Sequence, residues 1–287
     1  MTSSFTHTSI KFWCGLFGYS RQNFYKSLKK QEQQQFIEEI VIKIVIEKRG
    51  ELKRTGILKT YHLIKQELIK QNIKIGRDKL ADILRDNNLL VKRKRSYTKT
   101  TITNKWRNIY DDLRVDFTPT ASEQLWCADI TYIRTNKGFE YLSLITDEYS
   151  KYIVGWCSFP SLHTTGCYKA LQMALQQCHY PQRKLVHHSD RGVQYCSHKY
   201  TTKLIQHDCL ISVTQNGSPY ENPVAESMNA ILKTEMGLDK TFKSRTEARK
   251  NIEEKVWLYN NKRIHGSIDY MTPKMAYHHT GYIPKRW

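Results

Sequence analysis

Apolar positions recur along the chain with two different periods, and the change falls near residue 123. In the first third the spacing is helical. Phe36, Ile40 and Ile44 recur at every fourth position, with Val41 and Val45 beside them, which predicts an amphipathic helix over roughly 31–49. Gly50 is placed to end it. Upstream, IKFWCGLFGYSRQNFYKSLKK predicts two short helical segments around a turn at Gly18, with Ser20 capping the second. Leu58, Tyr61, Leu63, Ile64 and Leu68 fit another helix, QNIKIG a turn, and LADILRDNNLL a further helix with Leu80, Ile83 and Leu84 on one side. Two short helices joined by a tight turn have the outline of a helix-turn-helix. A small helical bundle without DNA contact has the same outline.

Residues 96–122 lose the helical period, are rich in Thr and Ser, and read as a linker. Beyond them the pattern is that of strands. LWCADITYI has a strand's length and composition, and KGFEYLSLITDEYSKYIVGWCSF predicts two more around a turn at Asp147 and Glu148. TTGCYKALQMALQQC and HKYTTKLIQHD read as helices, and KLVHHSD and CLISVT as strands. Asn222 and Pro223 are placed as N-cap and first residue of a helix through NPVAESMNAILKTE. A further helix is expected over roughly 246–261, and Pro273 opens a last short one. Three strands followed by alternating helix and strand predict an α/β domain with a mixed sheet. The expected division is a helical segment over 1–50 holding a possible first helix-turn-helix, a helix-turn-helix over 51–95, the linker over 96–122 and the α/β domain over 123–287.

Charge sharpens this division. The 287 residues carry a formal net charge of +19. Residues 1–107 hold 24 Lys and Arg against 9 Asp and Glu, a net of +15. A surplus serving solubility alone would be spread evenly, so this one predicts contact with a polyanion. Arg77 and Lys79 begin the second helix of the helix-turn-helix outline, where a recognition helix meets bases or phosphates, and the run Lys92, Arg93, Lys94 and Arg95 follows it. No apolar stretch is long enough for a membrane span, and the first residues lack the pattern of a signal peptide. Seven cysteines without a CxxC pair disfavour a disulfide scaffold and a zinc ribbon, and a reducing cytoplasm is the expected compartment.

Three acidic residues stand in unusual places. Asp129 interrupts an apolar strand, where a carboxylate is costly to bury without compensation. Asp190 closes the strand KLVHHS at its C-terminal end, where crevices form on such sheets. Glu226 lies in the first turn of the helix opened by Pro223, where the helix dipole favours its ionised form. Carboxylates converging to ~4 Å would repel by about 4 kcal/mol per pair at an effective dielectric near 20. Such a site calls for hard cations, Mg²⁺ or Mn²⁺, and two of them suit an in-line phosphoryl displacement.

Asp190 and Glu226 are separated by 35 residues, with an upstream Asp in W-x-x-D-I-T and Lys233 seven positions after the Glu. That spacing is similar to the signature of the retroviral-integrase-like DDE recombinases. WCADITYI, HHSDRGVQY, NGSPYENPVAES, LKTE and YNNKRIHGSIDYMTP resemble, in the same order, the OrfB transposases of the insertion-sequence 3 family. The resemblance implies an RNase H-like integrase core with Asp129, Asp190 and Glu226 as catalytic metal ligands and two Mg²⁺ or Mn²⁺ ions. It implies cleavage at insertion-sequence ends followed by strand transfer. It implies double-stranded DNA as partner, both as terminal inverted repeats and as target, a homo-oligomer on that DNA, an OrfA protein as partner or frameshift fusion, and a place on the bacterial nucleoid.

Lys233 and Asn229, at seven and three positions after Glu226, share its helical face and are candidates for touching DNA. Lys233 alone fits a solvated helix position as well, and Asn229 has the alternative of positioning the Glu. Asp147 reads as a turn residue; His188 is a candidate for orienting Asp190 or DNA, while of His187 and His188 at least one reads as a satisfied strand histidine. For Arg263 and His265, DNA contact and a role in the fold both stay open. His7, Cys14 and His62 are too few for the zinc module of retroviral integrases. The rival functions are a DNA-binding relic without chemistry and a ribonuclease H-type nuclease.

Overall fold

The computed structural model describes residues 9–91, 110–114, 117–180, 183–215 and 221–284. The chain forms two compact units, Met1–Val91 and Lys92–Trp287.

The first unit is helical: α1 (Ile10–Leu16), α2 (Arg21–Arg49), α3 (Ile57–Lys70) and α4 (Arg77–Asp86). Ser20 caps α2 through its hydroxyl, 3.1 Å from the Asn23 amide, as its residue type predicts. No Gly or Pro follows until Gly50, so the segment that Ser20 caps and the one expected over 31–49 run on as a single helix. Its C-terminal half supplies Val41, Ile44 and Val45 to a core shared with Ile64 and Leu68 of α3 and Leu80, Ile83 and Leu84 of α4. The segments divided at residue 50 in the sequence therefore share one core. Arg49 is buried within it, with Nε donating to the Thr60 hydroxyl at 3.1 Å and Nη1 to the Leu89 carbonyl at 2.7 Å. The turn between α3 and α4 passes through Asn72 at φ 56°, a left-handed position that Asn tolerates.

The second unit is built on β1 (Leu125–Thr135), β2 (Gly138–Asp147), β3 (Ile153–Phe159), β4 (Val186–Ser189) and β5 (Leu210–Val213). Their order is β3-β2-β1-β4-β5. The first three pair antiparallel, and β4 and β5 continue the sheet in parallel. Alternation along β1 divides its side chains between two faces. Trp126 and Ala128 join the core formed with α5 (Thr164–Gln176) and α6 (His198–Ile205), while Leu125 and Cys127 face α7 (Pro223–Ala230) through Ala225.

Gly155 lets α5 approach β3 closely, since a Cβ there would stand 2.2 Å from the Ala170 carbonyl oxygen. α8 (Arg245–Lys262) docks through polar anchors. Arg249 grips the buried Glu140 of β2 with two bonds of 3.1 Å, and Asn260 bonds both backbone groups of Ile153 at 3.0 Å. A last helix, α9 (Pro273–Tyr277), begins at Pro273 as expected. This mixed sheet with helices on both faces is the α/β architecture that the sequence predicts. All seven cysteines are free thiols, and no described helix is long and apolar enough to cross a membrane.

Candidate active site

The β1–β4 pairing sets the first two carboxylates. Ala128 pairs with Ser189, the last residue of β4, so Asp129 and Asp190 leave neighbouring parallel strands side by side. Such strands lie about 4.8 Å apart. Beyond that point β1 runs on without β4, paired to β2 and bridged only at Thr135 to Phe242 on its other edge, which opens a crevice at the end of β4. The turn after Asp190 is tightly held. The Gly192 amide donates to Asp190 Oδ1 at 2.9 Å, and a Cβ on Gly192 would stand 2.8 Å from that oxygen. Arg191 is buried and donates to the Thr214 carbonyl and, at 3.2 Å, to Gln215 Oε1. The Asp-Arg-Gly run is thus a device for aiming Asp190.

α7 crosses the face that carries Asp129. Asn222 stands at the N-cap position as expected, but without a capping bond. Its side-chain amide instead donates to the Ala128 carbonyl at 3.1 Å, pinning the start of α7 beside Asp129. Pro223 does take the first helical position. Glu226 follows in the first turn and is exposed. One turn later, Asn229 Nδ2 donates to Asp129 Oδ2 at 2.6 Å. The helix then widens into a π turn, Ile231–Glu235, which carries Lys233. Two regular α-turns would place Lys233 over Glu226, and the π turn changes that register. Arg263, buried, secures the end of this turn by gripping Glu235 at 3.1 and 2.8 Å.

Electrostatics join these groups. Asp129 is pushed up to about 7, first by burial, then by the charge of Asp190 and that of Glu226. A hydrogen bond from the Ile130 amide at 2.7 Å and the charge of Lys233 act the other way. Burial also raises Asp190, against the hydrogen bond from the Gly192 amide. Lys233 is lowered by burial, against the pull of Asp129.

Among the described residues, no three His, Cys, Asp or Glu side chains are gathered closely enough to hold a metal ion. The donor set still suits a hydrated hard cation. It offers oxygen ligands of like charge, and the Oδ1 atoms of Asn222 and Asn229 are buried beside them without a hydrogen-bond partner in the described structure. A hydrated ion brings both positive charge and O–H donors.

Other singled-out residues serve the fold. His187 is buried, meets the Tyr200 hydroxyl at 2.9 Å and is lowered to about 3 by burial. His188 is buried between Ser212 and the Glu221 carbonyl, each at 2.9 Å. Asp147 accepts from the Glu123 and Ser150 amides at 2.7 and 2.8 Å and from the Ser150 hydroxyl at 2.5 Å, the turn role its position suggests. His265 is buried against the ring of Tyr259. Arg77 and Lys79 stand at the start of α4, exposed, paired with Asp78 at 2.7 Å and Glu38 at 3.0 Å. Lys92, Arg93, Lys94 and Arg95 lie outside the described residues.

Sequence reasoning missed two buried carboxylates. Glu140 meets α8, and Glu123 accepts from the His179 and Tyr180 amides at 2.8 and 2.6 Å and from the Tyr277 hydroxyl. The partners of Glu123 lie more than 50 residues away, so no local spacing announced them.

Two family models described as "Integrase core domain" match residues 119–219 and 207–273. The insertion element IS600 uncharacterized 31 kDa protein of Shigella sonnei is 33% identical over 268 residues, covering 91% of this chain and 95% of that protein. The transposase for insertion sequence element IS629 of Shigella sonnei is 33% identical, over 74% of this chain and 71% of its own. Transposase InsF for insertion sequence IS3A of Escherichia coli (strain K12) is 34% identical, over 56% of each.

Proposed function

Since the chain belongs to the insertion-sequence transposases with an integrase core, the family that includes those of insertion sequence 3, we propose that Asp129, Asp190 and Glu226 form its catalytic centre. The observation that carries this reading is the placement of the three groups: the β1–β4 pairing sets Asp129 beside Asp190, and Asn222 pins the helix of Glu226 to Ala128. Two further carboxylates, brought from a neighbouring strand and a crossing helix, act on Asp129 across the open end of the sheet.

The three carboxylates would hold two Mg²⁺ or Mn²⁺ ions, which when bound supply charge neutralisation for the attacking and leaving oxygens of a phosphoryl displacement. Asp129 and Asp190 would hold these ions from the sheet side and Glu226 from the helix side. Asn229 holds the Asp129 carboxylate in place through its 2.6 Å bond. In the first step a water oxygen forms a bond to phosphorus and the P–O3′ bond breaks, freeing a 3′-OH at the element's end. In the second, that 3′-OH attacks a target phosphodiester, a new P–O3′ bond forms and the target's own breaks. No protein–DNA bond is made, and positioning does most of the work. Lys233, beside the carboxylates, is suited to a phosphate of the element's end. Two ends must meet for transposition, so the working form is an oligomer on DNA, alone or with an OrfA partner or fusion.

The test is cleavage of a duplex carrying the element's terminal repeat, compared with an RNA–DNA hybrid, in Mg²⁺ or Mn²⁺. Cleavage at the repeat end with joining to a second duplex is expected. Hydrolysis of the hybrid alone overturns the transposase chemistry in favour of a ribonuclease.

The helical unit is proposed to supply most of the DNA affinity. The pairs that hold Arg77 and Lys79 are exposed, screened by solvent, and readily exchanged for phosphate or base contacts. Arg77→Ala or Lys79→Ala at a base contact should cost ~1–3 kcal/mol and relax preference for the terminal repeat. At a phosphate contact either change should weaken all duplexes alike and lower the salt slope by about one. Binding isotherms on repeat and scrambled duplexes at several salt concentrations distinguish these. Unchanged isotherms for both variants would exclude the start of α4 from the interface.

A further inference from the structure

We propose that His188 and Arg114 act as a clamp that positions Glu226, by together holding the carbonyl of Glu221 at the entry to the catalytic helix. The proposal deepens the reading above and rests on Glu226 being a metal ligand.

The clamp is built where the chain enters the α/β unit. Residues 110–114 lie along β5, the edge strand. The Val213 amide donates to the Asp111 carbonyl at 3.2 Å, and the Leu113 amide to the Ser212 hydroxyl at 2.9 Å. This seats Arg114 at the sheet's edge. Its Nε donates to Glu148 Oε2 at 3.1 Å and its Nη1 to the Glu221 carbonyl at 3.2 Å. From the other side His188 Nε2 reaches the same carbonyl at 2.9 Å. A carbonyl only accepts, so Nε2 carries the proton. Nδ1 meets the Ser212 hydroxyl at 2.9 Å, which itself accepts from the Leu113 amide, and lies 3.6 Å from Asp112 Oδ1. Two donors thus converge on one carbonyl and use both its lone pairs.

The position of that carbonyl gives the cluster its consequence. Glu221 directly precedes Asn222, whose side chain is pinned to Ala128 and whose carbonyl receives the Glu226 amide at 3.1 Å. A single helical turn separates the clamp from Glu226. Glu226 is exposed and lies on a helix of only eight residues, so its placement depends on how the start of α7 is anchored. A buried polar cluster that merely satisfied itself had no need to spend two side chains, from β4 and from the entering segment, on this one backbone oxygen. Partners of metal ligands typically contribute 10- to 100-fold in metal affinity.

The experiment uses the full chain and six variants: four single changes at the clamp, the double variant His188→Leu/Arg114→Gln, and Glu226→Gln. His188→Leu and Arg114→Gln remove a donor to Glu221 or weaken it, while His188→Gln and Arg114→Lys keep an N–H within reach. Mn²⁺ binding is titrated calorimetrically without DNA, and thermal unfolding is recorded without metal. The expected result is a Mn²⁺ midpoint raised about 10- to 100-fold in His188→Leu and Arg114→Gln, with substantial recovery in the conservative pair. The double variant should be less impaired than the product of the single effects, because both side chains act on one atom. If His188→Leu does not fold, the Arg114 pair, at the edge of the core, decides. A wild-type midpoint in an Arg114→Gln protein that melts like wild type overturns the clamp. A Glu226→Gln protein that binds Mn²⁺ as wild type does overturns the Glu226 assignment, and the clamp with it. A weakened Glu226→Gln beside unaffected clamp variants overturns the clamp alone.

Discussion

Glu226→Ala is expected to lower strand transfer by on the order of 10³ or more while leaving duplex binding nearly unchanged, and Asp129→Ala and Asp190→Ala should do the same. The size follows from the chemistry. Each carboxylate is one of three anionic groups able to hold cations at the reacting phosphate, and the loss is felt where charge develops in the transition state. Retention of binding follows from the distribution of charge, since the net +15 of residues 1–107 is untouched. Stability should not suffer at Glu226, because its side chain is exposed and removing it relieves repulsion on Asp129. The measurement is joining of a pre-cleaved repeat end to a target duplex, beside a filter-binding isotherm for the same protein. Near-normal joining by Glu226→Ala would remove it from the centre.

The second expected result concerns pH. In the metal-free protein Asp129 holds its proton to about 7, whereas in the unfolded chain it releases it near 3.8. The folded state therefore binds more protons between those values. Its stability from this group is complete below about pH 4 and is lost as pH rises through about 7. An Asp129→Asn protein keeps the shape, and its amide oxygen still accepts from Asn229, but it does not titrate. It should match wild type near pH 4 and exceed it at pH 8, by at most about 4 kcal/mol. The comparison between the two proteins cancels the opposite trend of His187, which is lowered to about 3 and destabilises the fold on acidification below about 6.5. Mn²⁺ should reverse the ranking at pH 8, since it stabilises only the carboxylate form. Urea melts of both proteins at pH 4, 6 and 8, with and without Mn²⁺, make the check. Parallel stability curves without metal would show that Asp129 titrates normally and that the three carboxylates do not act on one another.

Much of the fold was legible because its periods are strong. Leu125 and Cys127 alternate with Trp126 and Ala128, and each set found the helix layer its face required. Helix starts were legible where a local bond marks them, as at Ser20. That the segment capped by Ser20 and the striped one over 31–49 are a single helix was not legible, because residues 21–35 are exposed and carry no apolar stripe to join them. Asn222 shows the same limit more sharply. Its residue type and its neighbour Pro223 fit a cap, yet its amide was claimed by the Ala128 carbonyl, 94 positions away. No propensity scale weighs such a bond.

The sequence by itself determined the three carboxylates as candidates, the basic helical third, the mixed α/β pattern and the family. Each of these rests on spacing, composition or motif order, which are properties of the chain as a line. Only the tertiary structure decided how the candidates are held. It set Asp129 beside Asp190 through the parallel pairing of β1 with β4, and it gave Asn229 to Asp129 rather than to Glu226. It turned His188, Arg191 and Arg263 inward to fix β5, the loop at Thr214 and the π turn. The physical reason is the same in each case. A polar side chain removed from water must find a partner, and which partner is near depends on packing between segments far apart in sequence.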